Sequence, residues 1–166
     1  MSRGAVMDTG SPSEEQQVLG IAQDLFAAMV DGGTDGLGPW AGPMPGLEAP
    51  LHAWVDAIGE AGTRTLVSAG EGTCRELARR LLGLGDADPL EQEDLLDAMR
   101  EVANIIGGNV KSLMPGAGRL TPPGADTAPP PGRGSRRLEV RLRWRGAPIL
   151  VSLWSLTDDE TEERNR

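Results

Sequence analysis

Residues 94–114 read Asp-Leu-Leu-Asp-Ala-Met-Arg-Glu-Val-Ala-Asn-Ile-Ile-Gly-Gly-Asn-Val-Lys-Ser-Leu-Met, and no other stretch restricts the fold as much. On a wheel turning about 100° per residue, Leu95, Met99, Val102, Ile106, Val110 and Leu113 fall in one stripe. Asp97, Arg100, Glu101, Asn104, Gly108 and Lys111 fall opposite. A segment divided in this way is a helix with one side on a core and the other toward solvent or a partner. Asp88-Pro89-Leu90-Glu91 supplies a start with Pro in the first helical position, and Pro115-Gly116 an end. Residues 89–114 would then span ~39 Å at ~1.5 Å per residue. The outward face carries a carboxylate and a carboxamide one turn apart, Glu101 and Asn104, with Asp97 a turn earlier. Burial on a core requires no such pair.

Periodicity orders the rest of the chain. Residues 1–10 are small and polar and expected to be flexible. Ser11-Pro12-Ser13-Glu14 predicts a helix start with a hydroxyl cap at Ser11. Val18, Ile21, Ala22, Leu25, Phe26 and Met29 follow at helical spacing, up to Asp31-Gly32-Gly33. Leu51, Ala53, Val55 and Ala57 alternate with His52, Trp54, Asp56 and Ile58. With the β-branched return from Thr63 to Ser68, this predicts a hairpin. Thr73-Cys74-Arg75-Glu76 has the form of a capping box and predicts a second helix ending near Gly83. Residues 115–135 hold many of the prolines and glycines, and 124–135 is expected to be an exposed loop. Leu138, Val140, Leu142 and Trp144 alternate with Glu139, Arg141, Arg143 and Arg145, a strand with one wet face. Gly146-Ala147 should turn it into Ile149–Leu156, a more apolar and more central strand. The charged tail 157–166 is expected to be flexible.

Composition narrows the function classes. A net charge of −9 argues against a nucleic-acid or anionic-membrane binder as a whole. One cysteine, Cys74, and one histidine, His52, exclude an internal disulfide and disfavour structural zinc. Neither a basic-then-apolar leader nor ~18 uninterrupted apolar residues is present, so the expected compartment is the cytoplasm. His52 has no Ser/His/Asp set assembled around it in sequence and is expected to be a sheet residue. Cys74 is expected to be a small core residue. Trp40, Trp54, Trp144 and Trp154 are expected to be packing anchors.

The outward residues of the long helix resemble a known signature. Asp97-x3-Glu101-x2-Asn104 is similar to the (Asp/Ser)-x3-Glu-x2-Asn pattern of the CheC/CheX/FliY phosphatases, which act on the phosphorylated chemotaxis response regulator CheY. The flanking text from Glu101 to Lys111 resembles the single-motif CheX type. Asp24-Leu25-Phe26 with Met29 resembles its first helix, and Ala53–Gly59 its first strand. The resemblance covers residues 11–156 and implies one α+β domain: a mainly antiparallel sheet with packed helices and one long motif helix facing outward. It also implies removal of phosphate from the phosphoaspartate of a receiver domain. Asn104 would orient the attacking water and Glu101 would pair with a receiver lysine. Asp97 would support the interface or the motif's geometry. Gly108 and Lys111, on the same face, are the expected further partner contacts. No cofactor of its own is implied; Mg²⁺ belongs to the receiver. A homodimer through the sheet is also a property of the type. Where the family has a strand after the motif helix, this chain reads Leu120-Thr121-Pro122-Pro123-Gly124, so that strand is expected to be short or displaced. Pro123 best fits the family's proline about twenty residues after the Asn.

Other readings stay open. The same helix suits a non-catalytic module that docks a receiver or another signalling partner. Gly107 and Gly108 each cost about 1 kcal/mol relative to Ala in mid-helix, which fits either a partner approaching closely or tight packing. Asn109 lies toward the apolar edge of the wheel and is expected to be half-buried and bonded to a neighbouring strand or loop. Arg133, Arg136, Arg137, Arg141, Arg143 and Arg145 fit an acidic-partner surface or, preferably, an edge strand protected by charge. Asp94, Asp97 and Glu101 lack the loop ligands of a metal site.

Overall fold

A computed structural model describes residues 13–30, 36–114, 116, 118–132 and 134–156. Helix α1 covers Glu14–Met29 and buries Val18, Ala22, Leu25 and Phe26. Its cap is Ser13 rather than the expected Ser11. The Ser13 hydroxyl accepts from Gln16 N–H at 3.1 Å, and the Gln16 side chain accepts from Ser13 N–H at 3.0 Å. A glutamine three residues on completes the reciprocal box as well as a glutamate does. Ser11, Pro12 and the expected stop at Asp31-Gly32-Gly33 lie outside the described residues, as do 1–10 and 157–166.

The sheet contains β1 (Gly38–Pro39), β2 (Leu51–Ile58), β3 (Thr63–Ala69), β4 (Arg119–Leu120), β5 (Gly124–Asp126), β6 (Ser135–Trp144) and β7 (Ala147–Ser155). Its order is β1-β6-β7-β3-β2-β4, with β5 also on β2, and every pairing is antiparallel. The expected hairpin is β2–β3. The apolar strand β7 is central, between β6 and β3. The strand after the motif helix is present only as the short β4 and β5. Residues 124–126, expected in a loop, pair with β2. Gly124 permits this, since a Cβ there would sit 2.7 Å from the Trp54 indole. The β6–β7 turn lies at Arg145-Gly146, one residue before the expected position. Both have positive φ, 53° and 82°, the primed-turn geometry that matches strand twist.

Helix α2 (Glu71–Leu82) starts three residues earlier than its capping-box text suggests. Gly70 is its cap, without a side-chain bond. A side chain at Gly70 would meet the Glu48 carbonyl oxygen at 3.0 Å, so the close approach of that loop selects glycine and the cap comes with it. Helix α3 covers Gln92–Ser112, starting at Glu91 rather than Asp88-Pro89 and ending before Met114. Asp94 accepts from Glu91 N–H at 2.9 Å, a box formed by acidic groups where the helix dipole favours them. Leu113, expected in the buried stripe, is exposed just beyond the helix end.

One core joins the layers. Phe26, Leu77, Met99, Val102 and Ile106 from the helices pack with Ala53, Val67, Val140, Leu142, Val151 and Leu153 from the sheet. Phe26 meets Trp144 edge-on at 5.4 Å, an arrangement that places positive ring edge against negative ring face. Among the described residues the fold is thus α+β, with a seven-stranded antiparallel sheet and three packed helices.

On the sheet, Asp56 and Arg64 are cross-strand partners buried together, with Nε–Oδ1 at 2.8 Å and Nη2–Oδ2 at 3.1 Å. The third side of the guanidinium donates to the Pro131 carbonyl at 3.0 Å. Thr121 closes the other flank: its Oγ1 accepts from Asp56 N–H, and its N–H donates to the Asp56 carbonyl at 2.8 Å. This network ties the proline-rich connection to β2 and β3. Among the described residues, no helix is long and apolar enough to cross a membrane.

Candidate functional site

Helix α3 presents the signature residues because its other side is fixed. Leu95, Met99, Val102, Ile106 and Val110 are buried, and the helix packs on β2, β3, α1 and α2. Gly107 sets the depth of that seat. A Cβ there would stand 2.2 Å from Val55 Cγ1 and 3.6 Å from Thr65. Of the two explanations for the paired glycines, tight packing therefore accounts for Gly107. Gly108 differs: it is half-exposed, and a Cβ there would meet only Leu120 at 3.5 Å, an ordinary contact.

Asp97 and Glu101 are exposed, while Asn104, Gly108 and Lys111 are half-exposed. Neither the Glu101 carboxylate nor the Asn104 amide has a hydrogen-bond or ion-pair partner among the described residues. Both groups sit on one helix, about 4.5 Å apart along its axis, and Glu101 is the more exposed of the two. The amide offers one acceptor and two donor hydrogens, and the carboxylate is acceptor-only.

Asp97 is engaged. Arg100 Nη1 donates to its carboxylate, and Nη1 and Nη2 each lie 3.2 Å from Glu93 Oε2. Sequence reading placed Arg100 on this face without a role; its i−3 and i−7 spacing from two acids was the available signal. Asn109 departs from expectation. It is exposed, and its Nδ2 donates to the Ile105 carbonyl of its own helix at 2.9 Å, because position 109 lies outside the contact with sheet and loop.

Asp94 serves the N-terminal box and Asp97 the arginine, so the acids on this face do not converge. Among the described residues, no three His, Cys, Asp or Glu groups are placed to hold a metal ion. His52 Nδ1 and Ser68 Oγ lie 2.7 Å apart across β2 and β3, with Asp126 opposite His52 on β5. His52 is thus a sheet residue, as expected, and the Asp126 carboxylate accepts from Thr127 N–H at 2.7 Å. Burial pushes the imidazole pKa down, partly offset by Asp126, and Ser68 is buried, so the pair reads as a cross-strand tie. Cys74 is buried and its thiol pKa is pushed up to about 12, chiefly by burial and then by Glu71. On the arginine-bearing strand, Arg136 and Arg141 both pair with Glu139, and Arg137 pairs with Glu14. Arg133 lies outside the described residues.

A family model described as "Chemotaxis phosphatase CheX" matches residues 52–129, which include the hairpin, α3 and its signature. Over those residues the chain is similar to the CheX phosphatases. Solved structures share the fold. The chemotaxis protein CheX from Vibrio vulnificus superimposes with a TM-score of 0.65 at 15% identity, covering 87% of this chain and 97% of its own. The CheX-CheY-BeF3-Mg²⁺ complex from Borrelia burgdorferi matches with a TM-score of 0.63 at 17% identity, covering 87% and 99%. A CheX from Desulfovibrio desulfuricans gives 0.62 at 14%, covering 86% and 98%. No curated protein sequence matches this chain. The likeness extends to the helix and the sheet on which the Glu101–Asn104 pair is carried.

Proposed function

We propose that this CheX-like chain dephosphorylates the phosphoaspartate of a CheY-like receiver domain, with Asn104 orienting the attacking water. The observation that carries the reading is an amide and a carboxylate, one turn apart, without partners among the described residues and fixed on a helix seated by Gly107. The reaction adds water to an acyl phosphate, R–COO–PO3²⁻ + H2O → R–COO⁻ + H2PO4⁻. A new P–O bond forms as the bond from phosphorus to the aspartyl oxygen breaks. The bonding pair leaves with the carboxylate, and both water hydrogens end on phosphate. The transition state is loose, so positioning the water matters more than removing its proton. The Asn104 carbonyl oxygen can accept from that water while its NH2 donates to a phosphoryl oxygen. Glu101 pairs with a receiver lysine and fixes the helix in register over the site. Asp97, Gly108 and Lys111 extend the contact. Magnesium would be the receiver's contribution; the name of the Borrelia complex includes the ion.

The test is inorganic phosphate release from receivers of the source genome, phosphorylated with acetyl phosphate and Mg²⁺. Wild type accelerates release from at least one receiver, and Glu101→Ala raises the concentration needed for half-maximal rate. If wild type binds a receiver without accelerating release, the chain is a docking module instead.

A further inference from the structure

We infer that Arg100 is a further catalytic residue of this site: on docking, its guanidinium leaves Asp97 and Glu93 and donates to the oxygens of the transferring phosphoryl group. The inference rests on the proposed phosphatase reading and adds the residue that recognises the anion.

The motif surrounds Arg100. Asp97 precedes it by three residues and Asn104 follows by four, the two spacings that make side chains neighbours on a helix. Arg100, Asn104 and Lys111 lie within about 40° of one another on the wheel, with Glu101 set to one side. Along the axis Arg100 stands ~6 Å before the amide and Lys111 ~10 Å after it. A group that reaches Asn104 from outside therefore enters between two cations.

That placement answers an electrostatic difficulty. The substrate is a dianion, while Glu93, Asp97 and Glu101 put three carboxylates on the approach face. Arg100 gathers two of them in the free chain. The ion pairs are exposed, with Glu93 67% and Asp97 58% accessible and Arg100 30%. Pairs of this kind are weak and readily exchanged. A phosphoryl group beside Asn104 is a better acceptor. It presents several charged oxygens to a planar fork of donors, in a contact from which water is partly expelled. Arginines that meet phosphoryl oxygens in this manner contribute strongly to phosphoryl transfer elsewhere. When Arg100 moves, the freed Asp97 and Glu93 face outward and can meet basic groups of the receiver.

The experiment uses the full chain and the receiver that responds to it, in two measurements. In the first, the rate of phosphoreceiver decay is followed at saturating chain concentration. Arg100→Ala lowers it about tenfold or more, and Arg100→Lys, which keeps charge but not the fork, falls between. In the second, affinity is measured for the receiver with and without beryllofluoride. Wild type prefers the loaded form, and Arg100→Ala loses that preference while its affinity for the bare receiver stays within about twofold. Two results overturn the inference and leave the phosphatase reading standing. One is an unchanged rate and preference. The other is an equal loss of affinity for both receiver forms with the saturated rate intact, which makes Arg100 a docking contact only. If wild type accelerates nothing, the phosphatase reading falls and this inference falls with it.

Discussion

Two adjacent glycines on one helix should respond to the same added methyl with opposite signs. In Gly107→Ala the new Cβ would stand 2.2 Å from Val55 Cγ1, whereas carbon atoms pack at about 3.5–4.0 Å. The helix must lift by more than an ångström or Val55 must turn. Val55 is buried in a strand, and its branched Cβ makes it stiff. Overpacking of this kind costs about 1–3 kcal/mol, while replacing mid-helix Gly by Ala returns about 1 kcal/mol. With so close a contact, the expected net loss is about 1–2 kcal/mol. In Gly108→Ala the methyl would meet only Leu120 at 3.5 Å, so the propensity gain survives and stability rises by about 0.5–1 kcal/mol. Urea unfolding followed by tryptophan fluorescence reads both, at unchanged slope. A Val55→Ala background should shrink the Gly107→Ala penalty, with a coupling on the order of 1 kcal/mol. If Gly107→Ala is as stable as wild type, or both variants shift the same way, the seating argument is wrong.

Asp56→Ala should cost about 3–5 kcal/mol, because it leaves the Arg64 guanidinium buried without its carboxylate; urea unfolding of that variant against a double variant with Arg64→Leu, expected to recover part of the loss, checks it. Stability should also decline on the alkaline side because of Cys74. Its folded thiol pKa of about 12 stands above the unfolded value of 9.0, so the contribution is intact below about pH 9. It is lost as pH rises through that window, since the unfolded chain releases the proton first, at a slope of up to about 1.4 kcal/mol per pH unit. The chain has no tyrosine and a single lysine, which leaves few competing groups there. Unfolding curves at pH 8 to 11 should flatten in Cys74→Ala, and an identical slope in that variant would refute the assignment.

The fold was legible wherever a period ran uninterrupted. The stripe from Leu95 to Val110 specified α3 and its buried side, and alternation specified β2, β3, β6 and β7. Element ends were less legible, because several residues in each neighbourhood have cap chemistry. Ser11 and Ser13 both carry a cap hydroxyl with Glu or Gln three residues on, so sequence offers two equal starts. At Gly70 the decisive atom is the Glu48 carbonyl, far away in sequence. The short strand β5 was hidden because Gly124-Ala125-Asp126 has no strand propensity and is held by Trp54 and β2. The Asp56–Arg64 pair was hidden because both residues look like solvent-facing positions of a hairpin until the connection folds over them. On the motif helix, the exposure of Glu101 could be read from the wheel. The grip of Arg100 on Asp97 and Glu93 could be read from spacing, but not the depth at which Gly107 seats the helix.

Single-turnover decay of a phosphorylated receiver, with wild type and Asn104→Ala each at saturating concentration, tests the central claim most directly. The account predicts that both chains bind the receiver with similar affinity and that the alanine variant loses on the order of 10²-fold of the acceleration. Decay as fast with Asn104→Ala as with wild type would contradict it.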